Sequence, residues 1–139
     1  MNQLTICVVL ALVGAGCSNP LTPSDVAAVY DLTAAQGSPL PTLVRVTTDC
    51  DVTLLTAALT LRADATFRLD RRELLDCSRI GHAPSQSQFY AVGDFVLDGT
   101  NITLNAHGDV IYPFAGRISG RTLYVNWGPF YGELTFVRP

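Results

Sequence analysis

From about residue 26 onward the chain alternates apolar and polar residues with a period of two. Phe67 and Leu69 stand against Arg68 and Asp70, Phe95 and Leu97 against Asp94, and Ile102 and Leu104 against Asn101 and Thr103. Successive side chains of a strand point to opposite faces, so each segment presents one apolar face and one wet face. Turn residues divide the pattern into expected strands at Val26–Leu32, Leu43–Thr47, Val52–Leu61, Thr66–Leu75, Gln88–Leu97, Asn101–Asn105, Ile111–Ile118, Thr122–Trp127 and Glu133–Val137. Asp98-Gly99-Thr100 and Ser119-Gly120-Arg121 are hairpin signals, and Ala63-Asp64-Ala65 turns the longest pair. The one long loop runs from Cys77 to about Gln86.

No window of helical length keeps both a helical period and caps. Residues 26–36 are the one ambiguous stretch, since Ser24-Asp25 resembles an N-cap and alanine is frequent there. Strands joined in succession by hairpins favour an antiparallel up-and-down meander, and closing the meander removes its exposed edges. The expected fold is therefore all-β, a meander closing into a small barrel of about 8–9 strands.

Residues 1–16 break the alternation. They are almost wholly apolar or small, too short to span a bilayer, and read as a secretory signal peptide. The run Val13-Gly14-Ala15-Gly16-Cys17 resembles a bacterial lipobox, in which Cys17 becomes the lipid-bearing first residue of the mature chain. Gly14 stands where the lipobox has an aliphatic residue, and no Lys or Arg precedes the apolar run. Acyl chains contribute about 0.8 kcal/mol per buried methylene and would hold the protein on a membrane. The resemblance implies an exported protein of the cell envelope. In a Gram-negative host, Ser18 after the cysteine implies the periplasmic face of the outer membrane. The expected organisation is a signal peptide at 1–16, a lipidated cysteine with a polar, proline-containing tether at 17–25, and one β-barrel domain at 26–139.

Composition narrows the function classes. Formal net charge is −3, and all nine positive residues are scattered arginines, which is not the basic stripe of a nucleic-acid binder. Of the four cysteines, Cys7 leaves with the signal and Cys17 takes the lipid, so Cys50 and Cys77 are the disulfide candidates in an exported protein, two free thiols being the alternative. They flank the Val52–Leu61/Thr66–Leu75 hairpin symmetrically. The apolar pattern pairs Leu61 with Phe67 and Leu59 with Leu69, a register one residue out of step with cysteines facing each other. One bulge between turn and bridge reconciles the two.

The segments Ala28-Val29-Tyr30-Asp31-Leu32, Gly37-Ser38-Pro39-Leu40-Pro41, Leu59-Thr60-Leu61-Arg62-Ala63-Asp64-Ala65-Thr66-Phe67, Val92-Gly93-Asp94-Phe95 and Ile102-Thr103-Leu104 follow one another in an order that resembles the small lipocalin-like lipoproteins of bacteria. The resemblance covers about residues 26–137 and implies a lipocalin-like barrel. The chain departs from the pattern at Ala65 and Ala28, where the family has glycine.

Catalytic chemistry has little to build on. His82 and His107 lie in expected loops outside any nucleophile motif, and no H-E-x-x-H, P-loop or G-x-G-x-x-G sequence occurs. The expectation is a non-enzyme without cofactor or metal. On the strand from Thr66, alternation that turns Phe67, Leu69 and Leu75 inward turns Arg71 and Glu73 inward as well. Buried ions need partners. Either Arg71 receives an anionic head group, or it pairs with Glu73 or a neighbour, or a bulge turns it out. A second cluster, Trp127, Phe130 and Tyr131 with Tyr112, Phe114 and Tyr124, is either a plug at the barrel end or an aromatic rim. Candidate contacts for a small apolar or amphipathic ligand are Phe67, Leu69, Arg71, Phe95, Tyr112, Phe114 and Trp127. The other reading is an envelope protein that binds another protein, such as a hydrolase inhibitor or assembly factor, through loops 78–87 and 105–110. A ligand-binding barrel needs a cavity of about 300 Å³ or more, whereas a filled interior favours the loops.

Overall fold

The computed structural model describes residues 19–108 and 113–139. The expected signal peptide, Cys17 and Tyr112 lie outside the described residues. The chain is all-β, with ten antiparallel strands: β1 (Ala28–Ala35), β2 (Ser38–Pro39), β3 (Thr42–Val46), β4 (Asp51–Leu61), β5 (Thr66–Asp76), β6 (Ser85–Asp98), β7 (Asn101–Ala106), β8 (Pro113–Ser119), β9 (Thr122–Asn126) and β10 (Glu133–Val137). Strands β4 to β10 follow one another as neighbours, β10 pairs with β1, and β1 pairs with β4. That last pairing closes an eight-stranded barrel, to which β2 and β3 are additions.

Closure is partial along β1. Its first half, Ala28–Asp31, bonds to Ala58–Leu61 of β4. Its second half leaves β4 and pairs instead with β10 and the two-residue β2. The far half of β4 pairs with β3. The β1–β4 seam thus splits toward one end, the mouth, where the β4–β5 disulfide and the β9–β10 connection also lie.

Two bulges set which residues face inward. In β4 the register slips between Leu54 and Thr56, so Leu61, Leu59 and Ala57 point inward before the slip and Leu54 after it. Leu61 pairs with Phe67 and Leu59 with Leu69, while beyond the slip Asp51 stands opposite Asp76. This is the register change that the alternation and the cysteine positions together required. Cys50 and Cys77 are bonded, with Cα atoms 4.2 Å apart. A second slip in β1, between Leu32 and Ala34, likewise carries inward orientation from Tyr30 and Leu32 to Ala35.

The closed end is solidly filled. Tyr30, Phe67, Leu69, Phe95, Ile102, Leu104, Leu123, Val125, Leu134 and Phe136 are all buried in one core. The Tyr30 hydroxyl donates to the Val26 carbonyl at 2.9 Å, which satisfies its one polar atom. Inward Gly93 makes room for this packing: a Cβ there would collide with the Asn105 carbonyl and lie 2.7 Å from the Phe67 ring.

Local structure departs from the sequence reading in three places, while the expected first strand holds from Ala28 on. Val26 ends a short helix, α1 (Pro23–Val26), instead of opening a strand, and that helix occupies part of the expected tether. Its first turn is held by Asp25, whose carboxylate accepts from the Thr22 amide at 2.8 Å and hydroxyl at 2.6 Å. Residues 28–35 are strand, so the helical alternative for 26–36 does not hold. Strand β6 starts at Ser85, earlier than expected, because its first half extends the β5 pairing past the end of β7. Finally, Trp127 ends no strand; it precedes a helical turn, α2 (Gly128–Tyr131), that folds across the mouth.

Candidate functional site

Five elements build a cleft at the mouth. Strand β5 supplies Arg71. The first half of β6, which among the described residues pairs with β5 alone over Ser85–Ala91, supplies Phe89, Tyr90 and Ala91. The ends of β8 and β9 with α2 supply Phe114, Trp127, Pro129, Phe130 and Tyr131. The resulting cavity is open to solvent and measures about 990 Å³. Its walls are mainly apolar and rich in aromatic rings, with Phe114 and Trp127 stacked at 3.9 Å between ring centres and 11° between planes.

The turn that carries the aromatic residues is locally determined. Gly128 adopts φ 82°, which a Cβ would disfavour, and Pro129 follows in the first helical turn. The Trp127 amide donates to the Gly132 carbonyl and the Gly132 amide to the Gly128 carbonyl, each at 2.9 Å, pinching the turn shut. Gln36, beyond β1, donates from Nε2 to the Phe130 carbonyl at 2.8 Å, and the Arg45 guanidinium of β3 lies 4.4 Å over the Phe130 ring. The β1–β2 turn and β3 therefore brace the mouth.

At the floor of the cleft sits a polar triad. Arg71 Nε donates to Glu73 Oε1 at 2.7 Å, and the Tyr131 hydroxyl donates to the same oxygen at 2.6 Å. Glu73 is 6% exposed, the one buried charged residue among those described. Arg71 lies against two rings, its guanidinium carbon 5.1 Å from the centres of both Phe89 and Tyr131. Burial and the bond to Glu73 push the Tyr131 phenol up to about 12, with Arg71 opposing them. A neutral phenol is thereby kept as a donor. Arg71 commits its Nε to Glu73 and also approaches the Tyr131 hydroxyl, and it is the one charged side chain among the described residues lining the cleft.

Of the candidate ligand contacts, Arg71, Phe114 and Trp127 meet in this cleft. Phe67, Leu69 and Phe95 do not line it; they fill the closed end, 0–3% exposed. The inward orientation of Arg71 and Glu73 follows the alternation, and they pair with each other. The bulge does not turn Arg71 outward, because the extra residue lies in β4 and leaves the alternation of β5 intact. Phe89 and Tyr131 were not among the candidates. Phe89 shares the inward parity of Ala91, Gly93 and Phe95 in the expected strand, which could have marked it, whereas Tyr131 was visible as part of the Trp127–Tyr131 aromatic cluster without any sign of its partner.

The closed eight-stranded antiparallel barrel is compatible with a lipocalin-like fold. No protein-family model, curated protein or solved structure matches the chain.

Proposed function

We propose that this protein is an exported, lipid-anchored binding barrel that holds a small apolar or amphipathic molecule in its mouth cleft and performs no catalysis. The observation that carries the reading is the aromatic cavity of about 990 Å³ above the Arg71–Glu73–Tyr131 triad. That volume is well above the roughly 300 Å³ a small-molecule site needs, and its apolar walls with one polar corner match such sites in character. It favours a ligand over the protein-binding alternative, which required a filled barrel with its function in the loops. The Cys50–Cys77 disulfide agrees with export to an oxidising compartment. Anchoring through Cys17 rests on the lipobox resemblance.

Mass spectrometry of the full chain, produced in a bacterial host and extracted in mild detergent, tests both parts. A covalent mass lacking residues 1–16 and carrying acyl groups on Cys17 supports the anchor, and an unprocessed mass rejects it. A non-covalent mass excess that vanishes on unfolding supports a carried ligand. A clean apo mass that also stays unchanged against a panel of lipids and aromatic amphiphiles rejects the binding reading.

A further inference from the structure

We propose that the mouth cleft selects uncharged amphiphiles and that Glu73 is the residue that excludes anions, an inference that rests on the ligand-binding reading above. An arginine alone in an aromatic cleft attracts carboxylates, sulfates and phosphates. Arg71 is not alone. Glu73 Oε1 lies 2.7 Å from its Nε, and the Tyr131 hydroxyl donates to the same oxygen at 2.6 Å. The carboxylate is buried and fixed at both contacts, so it cannot swing away when a ligand enters.

An anion that reaches the outer nitrogens of Arg71 meets a guanidinium already paired with the Glu73 carboxylate and enters that carboxylate's field. Attraction and repulsion then largely cancel, while the anion has still given up its hydration. A neutral acceptor such as a carbonyl, ether or hydroxyl oxygen takes the same Arg71 N–H groups with far less desolvation cost. Its apolar body then lies along Phe114 and Trp127. The Phe89 and Tyr131 rings, each 5.1 Å from the guanidinium carbon, and the bond to Glu73 restrict how Arg71 presents its remaining N–H groups.

Two near-isosteric fluorescent probes, neutral N-phenyl-1-naphthylamine and anionic 1-anilinonaphthalene-8-sulfonate, are titrated into the full-length protein. The quantity read is the ratio of their affinities. The wild-type ratio favours the neutral probe by about tenfold or more, and Glu73→Gln moves the ratio toward the anionic probe by about tenfold. Gln retains an acceptor for Tyr131 and Arg71, and circular dichroism checks its fold. Arg71→Gln, which leaves Glu73 alone, shifts the ratio the opposite way and keeps the test decisive if the first variant does not fold. Equal affinities in the wild type, or a ratio unmoved by either substitution, overturn the proposal. Failure of both probes to bind the wild type removes the ligand-binding reading itself.

Discussion

The Tyr131 hydroxyl donates to Glu73 Oε1 across 58 positions of sequence, and this one contact ties the turn over the mouth to the β5 strand beneath it. Burial and the bond to Glu73 both favour the protonated phenol, so its ionisation in the folded protein lies at about 12, against an ordinary value of 10.0. A folded-state value above the unfolded one means stability that is complete below pH 10 and lost as pH rises toward 12. Tyr131 is partly exposed, so solvent screening reduces the loss to about 1–2 kcal/mol. Denaturant melts between pH 9 and about 12 should show this decline, with a late tyrosinate step in ultraviolet absorbance. Tyr131→Phe should abolish that step while leaving the raised ionisation of buried Tyr30 in place.

The Cys50–Cys77 bridge joins the open ends of β4 and β5. In the chain-entropy account, closing a loop of this length stabilises the fold by about 3.5 kcal/mol. The double variant Cys50→Ser with Cys77→Ser should lose about that much. Wild-type protein in reductant should match it in a denaturant titration, and a neutral result would argue that the β4–β5 pairing already holds the ends together.

Ala65 turns the β4–β5 hairpin with φ 63°, a conformation where its Cβ is crowded. The Ala65 amide bonds to the Arg62 carbonyl at 3.1 Å, and the Asp64 carboxylate accepts from the Thr66 amide at 3.0 Å. The turn thus holds its geometry without glycine. Ala65→Gly should raise stability by about 1 kcal/mol, read as a higher melting midpoint with unchanged ligand behaviour.

Gly93 faces inward beneath the Phe67 ring. A methyl group has no room between that ring and the Asn105 carbonyl, so Gly93→Ala should cost about 2–3 kcal/mol through forced movement of β7 or of Phe67. Glycine at position 99, in the open β6–β7 turn, has free space around it, yet its φ of 58° still disfavours alanine. Thermal melts of the two variants separate crowding from backbone strain: the Gly99→Ala loss should be the smaller, at about 1 kcal/mol.

Strand identity, hairpin order and the disulfide were legible in the chain because each depends on neighbouring residues. Period-two alternation in Phe67–Leu69 or Ile102–Leu104 marks a one-sided strand wherever it lies, and a glycine turn marks its hairpin. Even the β4 bulge was implied, since the apolar register and the cysteine positions disagreed by one residue. The α2 turn was hidden because Trp127 continues the apolar pattern of β9, although the strand ends at Asn126 and Gly128, with its positive φ, opens the turn.

By itself the sequence determined an antiparallel barrel with Arg71 and Glu73 on its inner face, since inward orientation follows from strand parity. Tertiary structure alone decided which inward residues became core and which became site. Phe67, Leu69 and Phe95 lie where β1 bonds to β4 and all eight walls enclose them; Arg71, Phe114 and Trp127 lie where that seam splits and β6 outruns β7. No local pattern encodes that difference, because it depends on how far strands distant in sequence run alongside one another. The same holds for Tyr131, whose partner Glu73 is brought to it by barrel closure rather than by spacing along the chain.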